Sequence, residues 1–168
     1  MKPAEELRFR QLVLGRSEAL LRSAYLLVGD RGRAEDLVQT ALAKTYAAWP
    51  RIRDAGALEA YVRRVMVTTA TSWWRGLRFR EHPVAEAPAR PVPDAADAVA
   101  ERDAMWRQLA ALPVKQRAVL VLRYYEGLSE AEIAEVLEVS RGTVKSHTSR
   151  AMSALRRRMT EPCPEVAA

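Results

Sequence analysis

A chain of 168 residues, 49% of them apolar, has the material for one packed domain or two small ones and is too hydrophobic for global disorder. Its formal net charge of +6 and pI near 9.9 favour a polyanionic partner. The single cysteine, Cys163 between two prolines, excludes an internal disulfide and a cysteine-built zinc site, and fits a reducing compartment.

The two histidines, His82 and His147, lie far apart and lack partner ligands, so no metal and no cofactor is expected. No apolar run approaches the ~20 residues that span a bilayer. The N-terminus has no signal-peptide core, and a cytoplasmic protein without membrane insertion is expected. Charge is unevenly spread: residues 1–80 hold 15 bases against 8 acids, residues 81–100 one base against four acids.

In chain order, residues 5–28 read as a helix with Leu7, Leu12, Val13, Leu20, Leu21, Ala24 and Leu27 on one face. Gly15 could bend it and Gly29 ends it. Asp30 caps a second helix, 31–49, whose stripe is Ala34, Leu37, Val38, Ala41, Leu42, Thr45 and Trp49. Pro50 stops it. On its far side lie Glu35, Asp36 and Gln39; adjacent acids cannot converge on one reacting atom, and first-turn acids suit the helix dipole.

Residues 57–79 form a basic helix, with five Arg and no acid from Ala60 to Arg80. Leu58, Tyr61, Val62, Val65, Thr69 and Ser72 would be buried, with Met66 and Trp73 at the edge; Arg63, Val67, Thr71, Trp74 and Arg78 face away, flanked by Arg64. An exposed indole among guanidinium groups suits unstacked, single-stranded bases. From 81 to 98, Pro83, Pro88, Pro91 and Pro93 among Ala and acids read as an extended linker.

Beyond it, Val99, Met105, Trp106 and Leu109 pack one helix and 114–125 gives another, ended by Gly127. Residues 128–158, LSEAEIAEVLEVSRGTVKSHTSRAMSALRRR, then read as a helix-turn-helix. Ser129 with Glu132 makes a capping box, Ser140 an N-cap, and Val139 falls in the turn. The second helix carries Val144, Thr148, Ala151 and Leu155 on one stripe, and Lys145, Ser146, Ser149, Arg150, Ser153, Arg156 and Arg157 opposite. Four Glu and no base occupy 130–138, whereas 141–158 hold six bases and no acid. A basic helix backed by one that phosphate repels is the requirement of major-groove insertion. The fold class is all-α: two small helical domains joined by a flexible Pro/Ala-rich linker, the second ending in the helix-turn-helix. No convergent acid–base pair, phosphate loop or activated nucleophile appears, so no catalytic residue is assigned and an enzyme is not expected.

Three stretches in this order, AYLLVGDRGRAEDLVQTALAKTYAAWPRI, AYVRRVMVTTATSWWR and LPVKQRAVLVLRYYEGLSEAEIAEVLEVSRGTVKSHTSRAMSALR, resemble a bacterial RNA polymerase sigma factor of the extracytoplasmic-function group, sigma-E-like subgroup. The resemblance implies a region 2-like domain at 5–80 for polymerase docking and minus-10 recognition, a linker at 81–98, and a region 4-like domain at 99–160 for minus-35 recognition. It gives Glu35, Asp36 and Gln39 a polymerase-facing role. It places Arg63, Arg64, Thr68, Thr71, Trp74, Arg75 and Arg78 at the minus-10 element. Arg141, Thr143, Lys145, Ser146, Ser149 and Arg150 fall at minus-35 contact positions. Core RNA polymerase and promoter DNA are the implied partners, with an anti-sigma factor as a further one. Thr68 stands where relatives usually carry Asn, and His147 and Ser149 replace more commonly basic or amide-bearing residues. Neither the middle domain of housekeeping sigma factors nor a long C-terminal extension is evident. A stand-alone regulator of the LuxR kind, which shares the helix-turn-helix wording, would explain 128–158 but leave the helices at 31–49 and 57–79 idle.

Overall fold

The computed structural model describes residues 3–52, 55–78 and 96–160, and among them there are helices and no strand. The expected linker lies outside the described residues from 81 to 95, and its last positions are already helical. The tail with Cys163 lies outside them too.

The first unit is three helices, α1 (Pro3–Val28), α2 (Arg31–Ala48) and α3 (Ala55–Arg78). α1 runs unbroken through Gly15, against the bend expected there. Only its second half is buried, through Leu20, Ala24, Leu26, Leu27 and Val28, while Leu7 and Leu14 are exposed. Gly29, at φ +77, closes the helix with its N–H on the Tyr25 carbonyl at 2.7 Å, a left-handed conformation that glycine adopts without penalty. The side chain of Asp30 then accepts from the Arg33 N–H at 2.8 Å, so one residue separates the end of one helix from the cap of the next.

α2 buries the predicted stripe, Ala34 to Thr45, and the Thr45 hydroxyl donates to the Ala41 carbonyl at 2.7 Å, so this buried polar group is paired. Pro50 sits in a 3₁₀ turn, Trp49–Arg51, and Phe9 meets Tyr46 and Trp49 edge-on. α3 buries Leu58, Val62, Val65 and Thr69 as expected, while Tyr61 is half-buried and Met66, expected at the edge, is buried. Val67, placed on the far side by its position on the wheel, is buried as well, whereas Ser72 is exposed. The helix is covered on more than one side because the second unit packs on it.

That second unit is α4 (Ala96–Ala110), α5 (Val114–Leu120), a π turn (Val121–Tyr125), α6 (Glu130–Leu137) and α7 (Arg141–Thr160). Leu109, Leu112, Val119, Leu122, Ile133, Val136, Val144 and Ala151 form its core. The capping box is complete: the Glu132 N–H donates to Ser129 Oγ at 3.2 Å, and the Ser129 N–H to the Glu132 carboxylate at 2.8 Å. Between α6 and α7, Glu138 adopts φ 54, a left-handed conformation that disfavours a side chain by roughly 1–2 kcal/mol. It closes the turn by donating its N–H to the last carbonyls of α6.

The bonds at Ser129 hold the Glu132 carboxyl below its ordinary 4.5, the donated backbone N–H first. A depressed carboxylate stabilises the fold above its ordinary value and loses that contribution as pH falls through the lower one. By removing the N-cap hydroxyl, Ser129→Ala should lower stability by about 1 kcal/mol, read as a lower urea midpoint at neutral pH. Glu132→Gln, which removes the titrating carboxyl, should show a smaller further loss on acidification than the unaltered chain.

Candidate nucleic-acid interface

α7 presents one outward face. Arg141, Lys145, Ser146, Ser149 and Arg150 are exposed and Thr143 is half-buried, while Val144 and Ala151 anchor the opposite side. Ser140 caps the helix, its Oγ accepting from the Thr143 N–H at 3.1 Å, so the helix N-terminus projects its unpaired N–H groups and positive dipole end beside Arg141. This is the arrangement that favours phosphate at the start of a recognition helix while the following side chains reach base edges.

α6 frames that face with acid. Glu130 pairs with Arg123 at 2.6 Å and stands 3.9 Å from Lys145. Its carboxyl is held below the ordinary range, first by the hydrogen bond from Arg123 and then by the charge of Lys145. Lys145 is thus aligned along α7 by an exposed, salt-screened pair that a phosphate can displace. His147 is half-buried, and its Nδ1 finds no hydrogen-bond partner among the described residues. Burial, then the charges of Lys115 and Arg150, lower its pKa below the ordinary 6.5. At neutral pH it is a neutral packing residue and does not add to the basic face.

α2 brings Glu35, Asp36 and Gln39 together on an exposed face, with Glu35 paired to Arg31 at 3.1 Å. Lys44 nearby donates to the Thr69 hydroxyl of α3 at 3.4 Å. On α3, Thr68 and Arg75 are exposed and Thr71 is half-buried. The Thr68 hydroxyl donates to the carbonyls of Arg64 and Val65, and that of Thr71 to Val67. The side chain of Arg78 lies outside the described residues.

The expectation that Trp74 stands clear of the fold is corrected. It is half-buried, and its indole N–H donates to the Leu27 carbonyl at 3.2 Å. Its ring stacks with that of Trp106, the centroids 6.4 Å apart. Arg63 pairs with Glu126 at 2.9 Å and with Glu59 at 3.2 Å, and Arg64 pairs with Glu138. A helical wheel of α3 alone shows only the Glu59–Arg63 pair, because the other covering groups come from α1 and from the second half of the chain.

Sequence reading also missed Arg117, which is 3% exposed. Its guanidinium lies 5.0 Å from the Trp74 ring centroid and 4.6 Å from that of Trp106. The available signal was its register: three residues after Val114 and four before Val121, it occupies the apolar stripe of α5. Among the described residues no group of three or more potential ligands could hold a metal, and no helix is long and apolar enough to cross a membrane.

Residues 13–80 match the family described as Sigma-70 region 2, and residues 102–155 that described as Sigma-70, region 4. The chain is 46% identical over 152 residues to the RNA polymerase sigma-E factor of Streptomyces coelicolor, covering 90% of this chain and 86% of that protein. It is 33% identical over 166 residues to the ECF RNA polymerase sigma factor SigL of Mycobacterium tuberculosis, covering 94% and 92%. Among solved structures it is similar to the sigma factor RpoE of Bartonella quintana in its co-crystal with the anti-sigma factor NepR. The TM-score is 0.64 and the identity 25%, over 92% of this chain and 98% of that one. A stand-alone LuxR-type regulator has no use for residues 13–80, and that alternative falls.

The buried, unpaired Nδ1 yields a direct check. The His147 imidazole should titrate below 6.5 in proton NMR of the folded chain. Because the folded form resists protonation, stability should decline as pH drops from that value through the lower one.

Proposed function

The chain belongs to the sigma-70 family, among its extracytoplasmic-function members, and on that premise we propose that it binds core RNA polymerase and directs it to promoters by holding two short DNA elements at once. The observation that carries this reading is the outward basic face of α7, seated on acidic α6, within one chain that also carries a second arginine-rich helix, α3.

The parts divide as follows. Residues 5–80 form the domain that docks on polymerase and reads the minus-10 element, 81–98 the connection, and 99–160 the domain that reads the minus-35 element. Glu35, Asp36 and Gln39 meet polymerase: they are grouped and exposed on α2, away from the α1–α3 core. Arg141 and Thr143, Lys145 and Ser146, and Ser149 and Arg150 lie on successive turns of α7, the spacing with which a helix follows a groove. Arg63, Arg64, Thr68, Thr71, Trp74, Arg75 and Arg78 read the separated strand, the arginines along its backbone and Trp74 by stacking.

Each base contact contributes ~1–3 kcal/mol of discrimination, so neither domain is selective alone. Joining them makes the second contact intramolecular and raises affinity through effective concentration. The protein carries out no reaction of its own and works in the cytoplasm. An anti-sigma factor is a further partner, a reading supported by the complex in which the similar Bartonella protein was solved.

Run-off transcription with core polymerase and promoter fragments tests the reading. Lys145→Ala with Arg150→Ala should reduce the promoter-specific transcript at least about tenfold, a loss of about 1.4 kcal/mol, while capture by core polymerase persists. Undiminished transcript would remove α7 from the DNA. Asp36→Ala with Gln39→Ala should reverse the pattern, weakening capture in a pull-down; full capture would remove α2 from the polymerase interface.

A further inference from the structure

At the start of the helix-turn-helix, one carboxylate stands among three cations drawn from two elements. Glu130, the first residue of α6, accepts from Arg123 at 2.6 Å and lies 3.9 Å from the Lys145 ammonium. Its carboxyl is held low first by the bond from Arg123, and the charges of Lys145 and Arg141 add to that. The group is fixed from behind. Arg123 belongs to the π turn, whose Val121 and Leu122 are buried, and its guanidinium lies 5.7 Å from the Tyr124 ring centroid. The Glu126 N–H closes that turn on the Val121 carbonyl at 3.0 Å. With Arg123 half-buried and anchored, Glu130 keeps its place, and Lys145, its side chain 68% exposed, is the partner free to move. The other acids of α6 and its turn are placed differently: Glu132 closes the capping box, Glu138 faces Arg64, and Glu135 is exposed.

On the reading of α7 as the minus-35 helix, we propose that Glu130 is a specificity-determining residue. It stands where a phosphate oxygen would lie beside Lys145, and so weakens binding to DNA of the wrong sequence more than binding to the promoter.

A lysine on an open face pairs with any phosphate, and that pairing is independent of sequence. A fixed carboxylate beside Lys145 turns it into an exchange, one charge-assisted pair given up for another. A base edge is a different kind of partner. An ammonium has three N–H donors, so Lys145 can keep one toward Glu130 and turn the others to groove acceptors such as O6 and N7 of guanine. The wrong sequence offers no acceptor there and leaves only the exchange. Specificity is a difference of affinities, and a built-in competitor raises it by lowering the weaker of the two.

Glu130→Gln and Glu135→Gln each remove one negative charge from α6, and the second controls for charge alone. Gln keeps the shape and helix propensity of Glu, and the capping box at Ser129 is untouched, so the fold is retained. Core polymerase loaded with the full chain is titrated onto a fragment that supports run-off transcription, and onto the same fragment with its minus-35 element scrambled. Glu130→Gln should tighten binding to the scrambled fragment at least about threefold and tighten the promoter less, so that discrimination falls. On the scrambled fragment, log affinity should also fall more steeply with log salt, by about 0.9, the increment for one further phosphate contact. Glu135→Gln should leave discrimination and slope as in the parent. Equal gains on both fragments, an unchanged slope, or the same effect from Glu135→Gln would overturn the proposal. Weaker binding to both fragments would overturn it too, leaving Glu130 as a support for α7 alone. A parent that does not distinguish the two fragments would instead overturn the assignment of α7 to the minus-35 element, and the proposal with it.

Discussion

Arg117 is a buried cation that, among the described residues, has no carboxylate partner. Taking such a charge out of water costs several kcal/mol, and the structure offsets this with carbonyl oxygens and aromatic faces. Leu27 closes α1, while Leu109 and Leu112 surround the end of α4, and all three direct carbonyls at the guanidinium. Helix C-termini carry partial negative charge, so one cation satisfies orphan acceptors and dipole ends of two helices together. The indoles of Trp74 and Trp106 add cation–π attraction, on the order of 0.5–2 kcal/mol each. Desolvation brings the Arg117 pKa down to about 10, still well above neutrality, so the charge is kept. Because Arg117 belongs to α5 and Leu27 to α1, the placement of the whole second unit on the first turns on this group. A lysine would not replace it: a single ammonium cannot address carbonyls on three sides and lie flat against two rings.

The local features were legible because they are set by residues a few positions apart. The Asp30 cap, the capping box at Ser129, the stripe of α2 and the outward face of α7 all follow from helical period and hydrogen-bonding capacity. The candidate sites divide by the same criterion. On α7 and α2, the faces drawn from a wheel are the faces exposed, since none of the other described elements covers them. On α3 the wheel placed Val67 and Trp74 away from the core, yet Val67 is buried and Trp74 half-buried, because α3 is packed on two sides. Arg117 pairs with a carbonyl 90 residues away, and no periodicity within one helix encodes that. Glu138 is a different case: the turn needs a left-handed residue, glycine would have announced it, and a glutamate conceals it.

That glutamate also ties the turn to α3. A glycine at 138 would relieve the backbone and also remove the carboxylate that faces Arg64. Glu126 repeats the pattern at Arg63, just past the π turn that carries the chain from α5 toward α6.

Glu126 and Glu138 each hold an arginine of α3, so Arg63 and Arg64 are already paired within the chain. An arginine released from water to meet a phosphate would have to shed its hydration first; an arginine handed from carboxylate to phosphate exchanges one charge-assisted pair for another of similar strength. The acids return to water as the arginines leave them, so the exchange is close to balanced. The contact between the two units then rests chiefly on the apolar and cation–π seam of Trp74, Trp106, Gly29 and Arg117.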